Sequence, residues 1–112
     1  MQCLPFFVNL QQVNIKLNNM LNKKVEEAIN AQINAELWSA YLYLSMAAYC
    51  HAQGQPGMAK WFEVQFRDEQ DHAKIFFNYV VSRDGVVTLK PIEAETSTWE
   101  SMLDVFECTL AH

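Results

Sequence analysis

The chain has 112 residues, of which 51% are apolar and 19% are charged, so it can build the core of one domain and is not a disordered chain. Three glycines and three prolines are too few for the turns of an all-β fold of this length, and the composition favours long helices. The net charge of −5 argues against nucleic acid and against an anionic membrane as partners.

The cysteines and the apolar stretches bear on where the protein resides. Cys3, Cys50 and Cys108 are widely spaced and form no CxxC pair, so neither a zinc knuckle nor a redox motif is supported. Residues 1–9 lack the basic segment of a signal peptide, and their short apolar run is interrupted by Pro5. The most apolar stretch, residues 37–50, is shorter than the roughly 20 residues of a membrane span. We therefore predict a cytoplasmic protein with no membrane-spanning segment.

The first 19 residues differ from the rest of the chain. They are rich in Gln and Asn, are weakly patterned, and precede a second methionine, Met20. We interpret residues 1–19 as an unmatched segment upstream of the true start, and residues 20–112 as the folded domain.

The first predicted helix begins after Asn22, a suitable N-cap residue, and ends near Gly54. Its core face follows from a repeat of alternating four and three residues: Ile29, Ile33, Glu36, Ala40, Tyr43 and Ala47. Between residues 37 and 50 the apolar side chains extend almost all round the helix. This predicts that the side of the helix facing away from the core is also buried, against another subunit.

The second predicted helix runs from about Pro56 to Arg83, and Gly85 is expected to take the left-handed position after its end. Its core face has the same alternation: Phe62, Gln65, Glu69, His72, Phe76 and Tyr79.

Residues 84–97 form a predicted linker that is extended over residues 86–89. When extended it reaches about 46 Å, against about 42 Å for the preceding helix, so it can return the chain to the far end of a bundle. A third helix, opened by a capping box from Ser97 to Glu100, would then run parallel to the second. No closing signal follows it before His112, which predicts that the chain is cut short.

Three side chains that could bind a metal lie in the two core faces, where a carboxylate is costly unless it is paired or binds a cation. Glu36 is on the first helix, and Glu69 and His72 form a Glu-x-x-His pattern on the second. Oxygen-rich ligands with one imidazole suit iron or manganese, and two carboxylates that can bridge suit a dinuclear site. Tyr43 is either a redox neighbour or an ordinary core tyrosine, and Asp68 is either a solvated acid or an acid that assists the metal.

Four segments of the chain resemble the bacterial non-haem ferritins: residues 34–44, 61–62, 68–72 and 99–112. The resemblance implies an all-α, ferritin-like four-helix bundle with a long crossover, of which helices one, two and the start of three are present. It also implies a 24-subunit shell in which Fe²⁺ is oxidised by O₂ or peroxide and stored as a ferric mineral.

The resemblance assigns roles to individual residues. Glu36 matches the ligand of the first helix, Glu69 the glutamate that bridges both irons, and His72 the histidine on the first iron. Tyr43 matches the tyrosine beside the centre, and Asp68 stands where some members place a glutamate of an accessory third iron site.

Two further positions limit what the resemblance implies. Gln70 replaces the methionine that ligates haem in bacterioferritins, so we expect no haem. The glutamate that follows the position of His112, and the ligands of a fourth helix, are absent from the sequence. We therefore expect this chain alone neither to oxidise iron quickly nor to assemble a shell.

Two other functions compete with this one. A rubrerythrin-like peroxidase would need a second Glu-x-x-His and usually a CxxC iron domain, and the sequence has neither. A non-catalytic helical interaction module would use the polar residues of the stripes only as a hydrogen-bonded layer of its core.

Overall fold

The computed structural model describes residues 21–93 and 99–112. These residues form three helices, α1 (Lys23–Ala52), α2 (Pro56–Ser82) and α3 (Met102–Ala111), and no strand. The all-α prediction is confirmed for this part of the chain. The prediction for residues 1–19 lies outside the described residues.

The two ends of α1 follow the local signals in the sequence. The side chain of Asn22 caps the helix, because its Oδ1 accepts a hydrogen bond of 2.8 Å from the amide of Lys24. Gly54, with φ +72°, turns the chain after the helix, and Pro56 opens α2. The short turn makes α1 and α2 an antiparallel pair.

The end of α2 differs from the prediction in one position. Asp84, not Gly85, takes the left-handed conformation, with φ 58°, a conformation that Asp tolerates better than most residues. The amide of Gly85 then donates a 2.9 Å hydrogen bond to the carbonyl of Val80, which closes a Schellman motif. Glycine is needed here because an added Cβ would lie 2.8 Å from Leu21 Cδ2 and 2.9 Å from Val80 Cγ1.

The linker after α2 lies extended along α1, as predicted. Three α1 side chains spaced by one turn hold its backbone: Glu26 accepts from the amide of Val86, and Asn34 accepts from the amide of Lys90. Between them, Asn30 donates to the carbonyl of Val86 and accepts from the amide of Thr88. The linker thus runs in the same direction as α1 and brings the chain back to the end where α2 begins.

The predicted start of α3 is wrong by several residues. Ser101 is the N-cap, and its Oγ accepts a 3.1 Å hydrogen bond from the amide of Asp104. This second Ser-x-x-acid signal prevails, while Trp99 is buried in the core as part of the non-helical approach. Ser97 and Thr98 of the predicted capping box lie outside the described residues.

The direction of α3 agrees with the prediction. Thr109 contacts Met46, whereas His112, further along α3, contacts Tyr43, which is earlier in α1. Helix α3 is therefore antiparallel to α1 and parallel to α2.

The core consists of two apolar clusters along the α1–α2 pair. One lies between the start of α1 and the end of α2, and its buried members are Val25, Ile29, Ile33, Ala73 and Val80. The other lies at the opposite end, where α3 joins it, and its buried members are Leu42, Tyr43, Met46, Ala47, Cys50, Ala59, Phe62, Trp99, Val105 and Cys108. Positions 36 and 69 fall between the clusters. None of the described helices has the length and apolar character needed to cross a membrane.

Candidate metal centre

The structure brings together three of the predicted metal ligands. Glu36 reaches the site from α1, and Glu69 and His72 reach it from α2, where their spacing of three residues puts them on one face. Nδ1 of His72 lies 3.7 Å from Oε2 of Glu36 and 3.9 Å from Oε1 of Glu69. One possible ligand atom from each of the three residues lies within 4.8 Å of the other two.

The three side chains differ in burial. Those of Glu36 and Glu69 are 15% and 17% exposed, whereas that of His72 is 51% exposed. The predicted core face of α2 is therefore only partly a core face: Phe62 is buried, and Gln65, Glu69, Phe76 and Tyr79 are half-buried. In the described part of the chain the centre is open to solvent on the side of His72.

The two carboxyl groups are close enough to share a proton. Burial, followed by a hydrogen bond to Glu36 and the charges of Glu36 and Asp68, raises the pKa of Glu69 to about 8. Without a cation, Glu69 therefore holds a proton at neutral pH. A divalent cation between the carboxylates would take the place of that proton and remove the repulsion between them.

Tyr43 lies beside the centre, as predicted. Its side chain is buried and its ring packs against Phe62 and His112, with centroid distances of 6.2 and 5.4 Å. Burial, and to a smaller extent the charge of Glu69, raises the pKa of Tyr43, so the phenol keeps its proton at neutral pH. The effect of the Glu69 charge on the Tyr43 phenol places the two side chains near each other, and a redox role for Tyr43 stays a prediction.

Asp68 stays outside the group of three. It is exposed on α2, and its charge acts on Glu69. A role for Asp68 in binding a further ion remains a prediction.

Sequence reasoning missed Gln32, which the structure places directly behind Glu36. Its Nε2 donates a 3.1 Å hydrogen bond to Oε1 of Glu36, and the residue is only 3% exposed. The signal was available, because Gln32 precedes Glu36 by four residues and so shares its helix face.

Two carboxylates and one imidazole form a donor set that suits iron or manganese better than zinc, which in structural sites takes mainly cysteine and histidine. Their arrangement, with a Glu on one helix and Glu-x-x-His on its antiparallel partner, corresponds to half of the ligand pattern of the carboxylate-bridged di-iron bundles.

Comparison with known proteins decides the family. The family model of the ferritin-like domain matches residues 26–112 of this chain, a range that includes α2, α3, all of α1 except its first three residues, and the three residues of the centre.

The chain belongs to the ferritin-like family.

The relatives of this ferritin-like chain are themselves named ferritins. It is 38% identical over 93 residues to the bacterial non-heme ferritin of Bacteroides fragilis, covering 83% of this chain and 58% of that protein. It is 37% identical over 93 residues to the bacterial non-heme ferritin of Campylobacter jejuni, covering 83% of this chain and 56% of that protein. The chain therefore spans a little more than half the length of these relatives.

A solved structure confirms the four-helix bundle as the fold. The open pore ferritin of the archaeon Archaeoglobus fulgidus superimposes with a TM-score of 0.74 at 46% sequence identity, over 78% of this chain and 53% of that one. The ferritin-like chain thus has the first part of this bundle: two long helices, the crossover and the start of a third helix.

Proposed function

We propose that this ferritin-like chain belongs to an iron-storage ferritin and supplies the side chains that bind Fe²⁺ for oxidation to Fe³⁺. The observation that carries the proposal is the convergence of Glu36, Glu69 and His72 from two helices, with one ligand atom of each within 4.8 Å of the others. The membership of the ferritin-like family supports it.

The chemistry follows from the donors. Carboxylates stabilise Fe³⁺ more than Fe²⁺ because the harder, more highly charged ion gains more from anionic oxygen, and this favours the loss of one electron from each iron. Two Fe²⁺ ions together supply the two electrons that, with two protons, reduce O₂ to hydrogen peroxide or peroxide to water. A dinuclear arrangement would deliver both electrons to one oxidant, and no haem would take part.

Each residue has a distinct role in this proposal. Nδ1 of His72 lies within 4 Å of both carboxyl groups, so Glu36 and His72 would bind one iron together, and Glu69 would be the carboxylate that bridges two irons, as the resemblance to the bacterial non-haem ferritins implies. The proton that Glu69 holds leaves when iron enters. Tyr43 stands by the centre as a neutral phenol that can supply an electron or a proton. Asp68 would bind a further ion from the exposed face of α2.

Self-association is part of the same proposal. The linker that follows α2 is the crossover of the bundle. Large apolar side chains lie exposed on α1 and on this crossover: Tyr41, Leu44, Val86, Leu89 and Ile92. A second copy of the chain would cover them, as expected for a homo-oligomeric shell. We place the protein in the cytoplasm, where Fe²⁺ is available as the substrate.

The experiment is a comparison of Fe²⁺ binding by the wild-type chain and by Glu36→Ala, measured without oxygen by competition with a coloured chelator. A metal site predicts a loss of affinity of more than about tenfold in the variant, since removing a residue that merely orients a ligand already costs about that much. The thermal stability of the metal-free chain should fall on either hypothesis, because the variant removes the acceptor of the Gln32 hydrogen bond, and the Fe²⁺ affinity therefore decides between them. Glu27→Ala, a surface change on the same helix, serves as the control.

The non-catalytic alternative makes the opposite prediction about Fe²⁺ binding. If Glu36 only completes a hydrogen-bonded core layer, its removal lowers the melting temperature and leaves Fe²⁺ binding unchanged. That result would exclude a ferroxidase role for this centre.

A further inference from the structure

Gln32 is a buried polar residue that contacts the metal centre without belonging to it. It lies one turn before Glu36 on α1 and is 3% exposed. The only hydrogen bond of its side chain among the described residues runs from Nε2 to Oε1 of Glu36, at 3.1 Å.

This contact gives the two oxygens of Glu36 different surroundings. Oε1 accepts the hydrogen bond from Gln32, while Oε2 faces the centre, 3.7 Å from Nδ1 of His72. A carboxylate held by one oxygen has a fixed rotamer and presents only the other oxygen to an incoming cation. The amide thereby determines both the direction and the number of oxygens that Glu36 offers.

Packing does not explain an amide at this position. Oε1 of Gln32 is buried and has no hydrogen-bond partner among the described residues, and a buried oxygen without a partner costs free energy. An unbranched apolar side chain such as Met would fill the same space without that cost. The gain that accompanies the amide is its contact with Glu36.

We propose that Gln32 is a positioning residue for the metal centre, and that its amide holds Glu36 so that Oε2 alone faces the bound ion. The inference rests on the proposed function, because it requires that Glu36 bind a metal. It predicts that loss of the Nε2 donor frees Oε1, which allows Glu36 to move or to chelate the ion with both oxygens.

The test uses Gln32→Met in the full chain, titrated with Co²⁺ as a coloured probe of the site. We expect the affinity for Co²⁺ to fall about tenfold, as is usual when the hydrogen-bond partner of a metal ligand is removed. The visible spectrum of bound Co²⁺ should also change, since it reports the number and arrangement of its ligands. The melting temperature of the metal-free variant should equal or exceed that of the wild type.

The matched control is Gln65→Met. Gln65 is half-buried and precedes Glu69 by four residues, so the chemical change and the position on the helix are the same, but no hydrogen bond joins it to Glu69 among the described residues. Gln65→Met should leave the Co²⁺ affinity and spectrum as in the wild type. Gln32→Leu, a second variant without the donor, should reproduce both changes seen in Gln32→Met.

The outcomes separate this inference from the proposed function. If the wild-type chain binds no Co²⁺ that depends on Glu36, the proposed metal site fails and this inference fails with it. If the wild type binds Co²⁺ and Gln32→Met has the same affinity and spectrum, the metal site stands and the role of Gln32 is refuted. An equal effect of Gln65→Met, or a spectral change in only one of the two Gln32 variants, would also refute it.

Discussion

Burial and the proximity of Glu36 both raise the pKa of Glu69, because each disfavours the charged form of its carboxyl group. A site of this kind is unfavourable for the folded chain unless a proton or a cation neutralises it. The same feature that weakens the fold therefore favours metal binding, because the ion removes a repulsion that the helices maintain.

The raised pKa of Glu69 predicts how stability depends on pH. The folded-state pKa of about 8 exceeds the ordinary value of 4.5, so between these values the folded chain binds more protons than the unfolded chain. The free energy of unfolding of the metal-free chain should therefore fall as pH rises through this window, and Glu69→Gln should abolish that part of the slope. Urea unfolding at several pH values measures it.

The control for this experiment is Glu27→Gln, which changes an exposed carboxylate on α1. It should keep the pH dependence of the wild type. A Glu69→Gln variant whose unfolding free energy retains the full wild-type slope would contradict the proton that we place on Glu69.

At the scale of elements, the crossover follows α1 because four residues of a helix and two residues of an extended chain advance by nearly the same distance. Four residues of helix rise about 6.0 Å, and two residues of extended chain rise about 6.6 Å. Side chains at positions 26, 30 and 34 therefore meet the backbone at positions 86, 88 and 90 in turn. This match aligns the extended crossover along α1 and returns the chain to the end where α3 joins the core.

Asn30 is the residue on which this alignment depends most, since it both donates to Val86 and accepts from Thr88. Asn30→Ala should lower the free energy of unfolding by about 1–2 kcal/mol, the sum of two partly exposed hydrogen bonds. It should also accelerate hydrogen exchange at the amide of Thr88, which loses its acceptor. Chemical denaturation and exchange measured by NMR test the two effects.

Asn78→Ala is the matched control, because Asn78 is exposed on α2 and its side chain makes no hydrogen bond to the crossover among the described residues. It should leave both quantities near their wild-type values. Unchanged protection of the Thr88 amide in Asn30→Ala would show that the crossover is held by other contacts.

At the scale of the whole molecule, large apolar side chains are exposed on each of the three helices and on the crossover. We define the α1–crossover surface by Tyr41 and Leu44 on α1 and by Val86, Leu89 and Ile92 on the crossover. Monomeric soluble proteins rarely expose large contiguous apolar surfaces. Tyr41 and Leu44 lie within residues 37–50, the stretch for which the sequence predicts burial against another subunit.

We expect this surface to mediate self-association. Leu89→Asp should weaken the association of the chain about tenfold or more, because a charge placed inside an apolar contact must be desolvated. The fold should be retained, since the Leu89 side chain is 60% exposed. Sedimentation velocity over a range of concentrations measures the effect.

Leu103→Asp provides the comparison, since Leu103 is 66% exposed but lies on α3. It should leave the association constant unchanged. Equal weakening by both variants would place the contact elsewhere on the molecule.

Local patterns were enough to predict most of the elements and the three side chains that converge at the candidate metal centre. The N-cap Asn22, the helix-opening Pro56, the helix faces and the Glu-x-x-His pair all depend on residues within a few positions of one another. Short-range geometry places them regardless of the rest of the fold. The length of the linker, compared with the length of a helix, was enough to predict the direction of α3.

Contacts between distant parts of the chain decided the features that local patterns did not predict. A Cβ at Gly85 would meet the distant Leu21 as well as the neighbouring Val80. The start of α3 is delayed because Trp99 is buried in the core. The exposure of His72 and the raised pKa of Glu69 arise only when α1 and α2 pack together. A helical pattern identifies which residues share a face, but burial and proton affinity depend on what the other helices place against that face.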